Sequence, residues 1–508
     1  MPADGLEECL GSPSPVLPGK EDETCSEGSG ASARPESTVQ IVESFVQFMV
    51  EMKATRPSIL RGIPVHPFLQ QAPRKWPRNR KDSEQLYRLS QVVTRFDEFW
   101  SHSWRTKAWL KYLNILYLHN SRPAFVVGMF CASAAFFFCR AGIVPVRIAG
   151  APNSFWCSVA GAVGYYSTLL FWRRSKLAFL DIACINQKDH ASKVEGMLSI
   201  GAFLKNSQSL LVLWDETYVS RLWCVFEMAA FLHSKGLSVE AEDCLAVCPV
   251  FVGPTLLVAQ LSLSILMAAS LTMGFALVSY VLIFQATLAL PCFLLLAYVV
   301  LAHCHSIDVV QSQVSSFTIE DASCHCCSRG LCETICDRML IVRCIEAWFG
   351  SVDKFEAAVR GEVRRTLVHQ LANNIFSYWR MVHALCPLLW FFLDLMSAPG
   401  MTMSHTISYT LGGLTSYLLL MPSMDLICLR LCYRLRKSFH GSRCYKLLLS
   451  AGMVAVGTLF YAIYFAVDQI ILAQLLDTRF QSAIPRATFV LAVSSVGTFL
   501  LWRRCPSM

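Results

Sequence analysis

Apolar stretches of membrane length come in pairs along this chain, and each pair interrupts what otherwise reads as soluble α/β structure. Residues 122–139 and 155–172 carry no interior charge, and each is close to the ~20 residues that cross the ~30 Å hydrocarbon core as a helix. A short link joins them into a hairpin. Residues 249–304 are apolar for long enough to cross twice, with Pro291 placed to kink the second crossing. Four further stretches, 381–398, 406–421, 445–467 and 483–502, bring the expectation to about eight spans. Only 16% of residues are charged, against roughly 25% in soluble domains, as a polytopic membrane protein requires.

Crossings taken in pairs return the chain to the side it left. The soluble blocks 93–120, 173–248 and 305–378 are therefore expected on one side, as pieces of a single domain split by insertions. Ahead of them lie an acidic tail, 1–40, whose Pro, Gly, Ser and Glu content reads as disordered, and a Pro-broken lead-in, 41–92, with a short amphipathic helix near 41–49. Residues 379–508 hold the last four spans and a basic loop at 430–446. Arg173, Arg174 and Lys176, that basic loop, and Arg503 with Arg504 flank one side, so the positive-inside rule places the soluble blocks and both termini in the cytosol. The 22 cysteines follow no secreted-domain spacing, which agrees with a reducing compartment. The formal charge of +8 sits mostly at membrane flanks, so the bilayer is the expected partner and nucleic acid is not.

Within the soluble blocks, short apolar runs end in polar residues and lead into amphipathic ones. Residues 93–100 read as a strand followed by a polar turn at Ser101-His102-Ser103 and a helix. Residues 177–180 end in Asp181, and 210–214 end in Asp215 and Glu216 before a helix carrying Trp223, Phe226, Ala229 and Phe231. Residues 338–371 read as two helices parted by Gly350-Ser351, with Asp353 placed to start the second. Strands of this kind build an open parallel sheet flanked by helices, with its site at the carboxyl edge.

Three motifs add a resemblance. Ser101-His102-Ser103-Trp104, the FLDIACINQ run ending at Gln187, and Tyr218 through Glu227 (YVSRLWCVFE) resemble a divergent TIR-like domain, related to the heterokaryon-incompatibility domain, of multi-pass membrane proteins from protists, dinoflagellates among them. It covers roughly 96–120, 176–236 and 317–367 and is most specific at 223–227; the apolar spans lie outside it. The resemblance implies a TIR-like fold, signalling or scaffolding by self-association or with TIR-like partners, and, in catalytic members, cleavage of the nicotinamide–ribose bond of NAD. Glu227 then holds the catalytic position, Ser103 and Asp181 line the cleft, and Trp214 or Trp223 stacks on a ring of NAD. The residues also permit a plainer reading, in which Trp223 and Phe226 pack in the core and Glu227 pairs with Arg221 or Lys235.

Other candidates carry less. Asp181 and Asn186 are equally suited to capping a loop, and His102 between two serines lacks any nucleophile elbow. Cys324, Cys326, Cys327 and Cys332, with His325 and Cys336 nearby, offer thiolates for zinc, but their spacing is not a repeated C-x2-C pair, and free cysteines are the alternative. Asp394 lies near the end of its span, at headgroup depth. A transporter or channel is a third functional class, with few intramembrane charges to support it.

Overall fold

The computed structural model describes residues 35–75, 80–145, 154–236, 244–273, 278–324, 327, 336–371, 375–397, 402–480 and 482–503. Of the expected disordered tail, 1–40, residues 1–34 lie outside the described residues, and 35–40 are instead helical, the first turns of Pro35–Val50. The chain divides into two compact units. One gathers the described residues up to Tyr112 with Arg174–Pro249 and Val310–Leu367, and the other takes Leu113–Arg173, Val250–Val309 and the rest of the chain from Val368.

The first unit is built on a six-stranded sheet in the order β2-β1-β4-β3-β5-β6. Its strands are β1 (Arg61–Pro64), β2 (Gln91–Val92), β3 (Phe96–His102), β4 (Leu177–Phe179), β5 (Ser207–Trp214) and β6 (Leu245–Pro249). β4, β3, β5 and β6 are parallel, as expected, whereas β1 runs antiparallel to both β2 and β4, which makes the sheet mixed. Both antiparallel strands come from the Pro-broken lead-in. Pro64 can sit there because it ends its strand, and a Cβ on Gly62 would meet the Phe96 ring at 3.1 Å. β3 also runs further than expected, so Ser101 and His102 belong to the strand and not to a turn; they pair in register with Val212 and Leu213 of β5. β6 hides in the sequence because its apolar residues merge with the membrane stretch that follows.

Aromatic side chains fill the space between sheet and helices. Phe99 stacks on Phe179 with centroids 4.6 Å apart, Phe179 lies 4.2 Å from Phe203, and Phe96 closes the group at 5.7 Å from Phe203. Such pairs contribute about 0.5–1.5 kcal/mol each beyond the area they bury. The two closing helices are Asp337–Phe349 and Val352–Ala358. Gly350 at φ +82 takes the left-handed position after the first. Ser351, not Asp353, caps the second, its side chain accepting from Lys354 N.

The second unit is helical. Among the described residues, six helices are long and apolar enough to cross a membrane, or seven counting Tyr378–Ala384 with Cys386–Met396, a pair bent by 48°; by length and composition this is a multi-pass membrane protein. The remaining expected span corresponds to Trp156–Phe171, which has only 16 residues, about 24 Å of helix. It packs closely on Cys386–Met396: a Cβ on Gly161 would lie 2.6 Å from the Trp390 ring, so only glycine lets the two helices approach this far. Asp394 is fully buried at the same contact. Its carboxyl accepts from Cys157 N at 2.9 Å, Ser158 N at 2.8 Å and Ser154 Oγ at 3.1 Å. It therefore caps the first turn of Trp156–Phe171, whose own N-cap, Phe155, has no side chain able to do so.

Candidate functional site

β4 and β5 flank β3 on opposite sides, so the chain changes direction across the sheet at β3. In open α/β sheets the crevice beyond the carboxyl ends of strands at such a point is where ligands bind. Here those ends deliver Ser101, His102 and Ser103 from β3, Asp181 just past β4, and Asp215 just past β5. The helix Leu222–Lys235 brings Glu227 back over the same edge.

Ser101 is the hinge of the arrangement. Its buried hydroxyl donates to Glu227 Oε2 at 2.5 Å and lies 2.6 Å from the Tyr218 hydroxyl, which in turn donates to Cys224 O at 3.4 Å. A second set surrounds Asp215. Thr217 donates to it from both backbone N (2.8 Å) and Oγ1 (2.6 Å), Thr106 Oγ1 donates to its other oxygen, and Ser103 Oγ is 2.8 Å from Thr217 Oγ1. Trp104 completes the rim. It is 37% exposed, stacks on His102 at 5.9 Å and donates from Nε1 to Asp181 Oδ2 at 3.1 Å. Lys111 is almost wholly buried and exerts its charge on Asp181 and Asp215.

Burial dominates the protonation of these groups. It pushes the Glu227 carboxyl up to about 8, with the Asp181 charge adding to the rise, while the Ser101 hydrogen bond and the Arg221 charge oppose it. Burial also raises Asp181 above the ordinary carboxylate range, and Lys111 and the Trp104 N–H partly offset that. His102 is held well below its ordinary value by burial and then by the Lys111 charge, so the imidazole is neutral at pH 7. The site thus combines a carboxyl poised near neutrality, a neutral imidazole and a buried amine, and oppositely perturbed groups of this kind are suited to proton and charge management.

Comparison with known families, curated proteins and solved structures found no match. Chemistry at this sheet edge therefore rests on the geometry of these residues alone.

Of the residues singled out in the sequence, Glu227, Ser103 and Asp181 all reach the edge. The two tryptophans take other roles. Trp214 is buried and packs on Tyr218 at 5.3 Å, which leaves no open face for a ligand ring. Trp223 donates to Asp337 Oδ2 at 3.0 Å and meets Phe226 edge-on at 5.5 Å, the core-packing arrangement. The exposed ring at the rim is Trp104 instead. Ser101, Lys111, Asp215 and Tyr218 were not marked as site residues. The sequence signal for Lys111 was its place as the one cation inside an apolar helix face; Ser101 gave none, because the sequence reads it as part of a polar turn and only its pairing with β5 makes it a strand residue. Cys326 and Cys332 lie outside the described residues; Cys324 and Cys327 group with Cys336.

Proposed function

We propose that this is a multi-pass membrane protein that signals through a TIR-like domain, and that the domain's chemical output is cleavage of the nicotinamide–ribose bond of NAD. The observation that carries the reading is the Ser101–Glu227 hydrogen bond at a sheet edge lined by perturbed ionisable groups. Glu227, once ionised, faces the positive charge that develops on the ribose as nicotinamide leaves with the bonding pair. Ser101 fixes which carboxyl oxygen is presented, Trp104 offers a ring face, and Lys111 attracts the pyrophosphate. Water adds to the ribose carbon, giving ADP-ribose, and its proton leaves to solvent through the carboxylates of the cluster.

The test is nicotinamide release by the purified full-length protein in detergent. Glu227→Gln is expected to lower kcat/KM by roughly 10²-fold or more, and wild-type activity is expected to rise with pH through about 8, as Glu227 ionises. Folded protein with no turnover, even concentrated on vesicles, sinks the enzymatic reading and leaves a scaffold that acts by self-association. For transport there is less support: Asp394 caps a helix, and Asp468 pairs with Arg486 at 3.2 Å, so both carboxyls already have structural partners.

The basic flanks support a cytosolic position for the sheet unit and both termini. Protease-sensitive tags at Met1, at Gly236 and at Ser351 are expected to be cut together from the cytosolic face of sealed vesicles. One tag protected while the others are cut would refute that sidedness.

A further inference from the structure

Apart from the Glu227 edge, three thiols come together among the described residues of the sheet unit. Cys324, Cys327 and Cys336 place their sulfurs within 4.8 Å of one another, with Cys327 Sγ and Cys336 Sγ 3.3 Å apart. A tetrahedral zinc site with Zn–S bonds of about 2.3 Å sets its sulfurs about 3.8 Å apart, so small side-chain adjustments suffice to close these three around one ion. Cys324 and Cys327 form a C-x2-C pair, and the third ligand arrives at the start of a helix, where Cys336 is the N-cap of Asp337–Phe349. Cys324 is buried while Cys327 is exposed, so the group has a fixed inner member and a solvent-facing route of entry.

We propose that Cys324, Cys327 and Cys336 hold a structural zinc ion as thiolates, the fourth position being left to a ligand outside these three. The anchoring of the segment gives the ion its role. Immediately before Cys324, Ser323 pairs with the 220–222 segment: Ser323 N donates to Ser220 O at 2.6 Å and Leu222 N donates to Ser323 O at 3.2 Å. Immediately after Cys336, Asp337 accepts from Trp223. Both contacts hold the start of the helix that carries Glu227. A metal clasp joining residues 324 and 336 would fix both anchors at once. This inference does not depend on any NAD chemistry.

The experiment is metal analysis of the full-length protein, purified under reducing conditions without chelator. About one zinc per chain is expected, falling at least tenfold in Cys324→Ala and in Cys336→Ser, and unchanged in Cys444→Ser, which alters an exposed cysteine elsewhere. Because either ligand variant can misfold, the wild-type protein is also titrated with a mercurial. Zinc release in step with modification of these thiols, accompanied by faster amide exchange across 221–227, is the expected result. Three results overturn the proposal: folded wild-type protein without metal whose Cys327 and Cys336 alkylate as fast as Cys444; a Cys327–Cys336 disulfide in protein from a reducing lysate; or zinc retained by both ligand variants.

Discussion

Asp394→Leu is expected to destabilise the packing of Trp156–Phe171 against Cys386–Met396 by about 3–5 kcal/mol. The carboxyl satisfies two backbone N–H groups of a helix's first turn and one serine hydroxyl, and Ser154 and Cys157 are themselves fully buried. Leucine matches the side chain in size but accepts nothing, and water has no access to replace it. An orphaned buried donor costs about 1–3 kcal/mol, and loss of a helix cap about 0.5–2 kcal/mol. Asp394→Asn keeps one accepting oxygen and should fall between the two. Alkylation of the buried Cys157 in detergent reads the opening directly, with the rate rising in the order wild type, Asn, Leu. A leucine variant as protected as wild type would show that the three hydrogen bonds contribute nothing net.

The second large effect concerns pH. Glu227 holds its proton up to about 8 in the folded protein, against an ordinary value of 4.5. An acid whose folded value is raised binds its proton more tightly in the native state, so its contribution is fully present below about 4.5 and is lost as pH rises through about 8. At complete burial that gap corresponds to roughly 4–5 kcal/mol; part of the Glu227 surface is open, and solvent screening brings the expected loss to roughly 2–4 kcal/mol. Glu227→Gln cannot ionise and still offers Ser101 an acceptor. Near pH 9 the variant should therefore be the more stable by that amount, with the advantage gone near pH 4. Protection of Cys224, buried on the same helix, against alkylation at matched pH is the measurement. Identical profiles would mean that Glu227 ionises at its ordinary value. The comparison with turnover is informative, because the substitution expected to abolish the proposed NAD cleavage is the one that relieves the strain of a buried charge.

Much of the site was legible because its residues terminate strands. Asp181 stands where an apolar run gives way to a polar one, and Ser103 follows directly on β3, whereas Glu227 lies inside an apolar helix and stood out only through the motif at 223–227. Ser101 was harder, since a serine that opens the Ser101-His102-Ser103 run looks like the start of a turn until β5 pairs with it. The ligand-stacking role assigned to Trp214 failed for a related reason: β5 is buried along most of its length, so a tryptophan at its end is inside the core. Asp394 was placed near a span end, and there it lies, but its partners are backbone groups more than two hundred residues earlier in the chain. Backbone donors leave no trace in a sequence. The available clue was a missing one, a helix opening at Phe155-Trp156 with no cap of its own. The antiparallel edge escaped because β1 and β2 are too short for any alternation to register.

Strand order also sets a timetable for synthesis. β3 lies at the centre of the parallel set, yet it is complete at His102, whereas its two neighbours begin at Leu177 and Ser207. At about 5–20 residues per second, the chain takes on the order of 5–20 s to supply both. Throughout that interval a strand with Phe96, Phe99 and Trp100 along it has both edges open, while the ribosome is delivering a membrane hairpin. Production of this protein is therefore exposed at one defined moment, and shielding β3 then, by a chaperone or by slower and cooler expression, should raise the yield of folded chain more than any change to the finished structure.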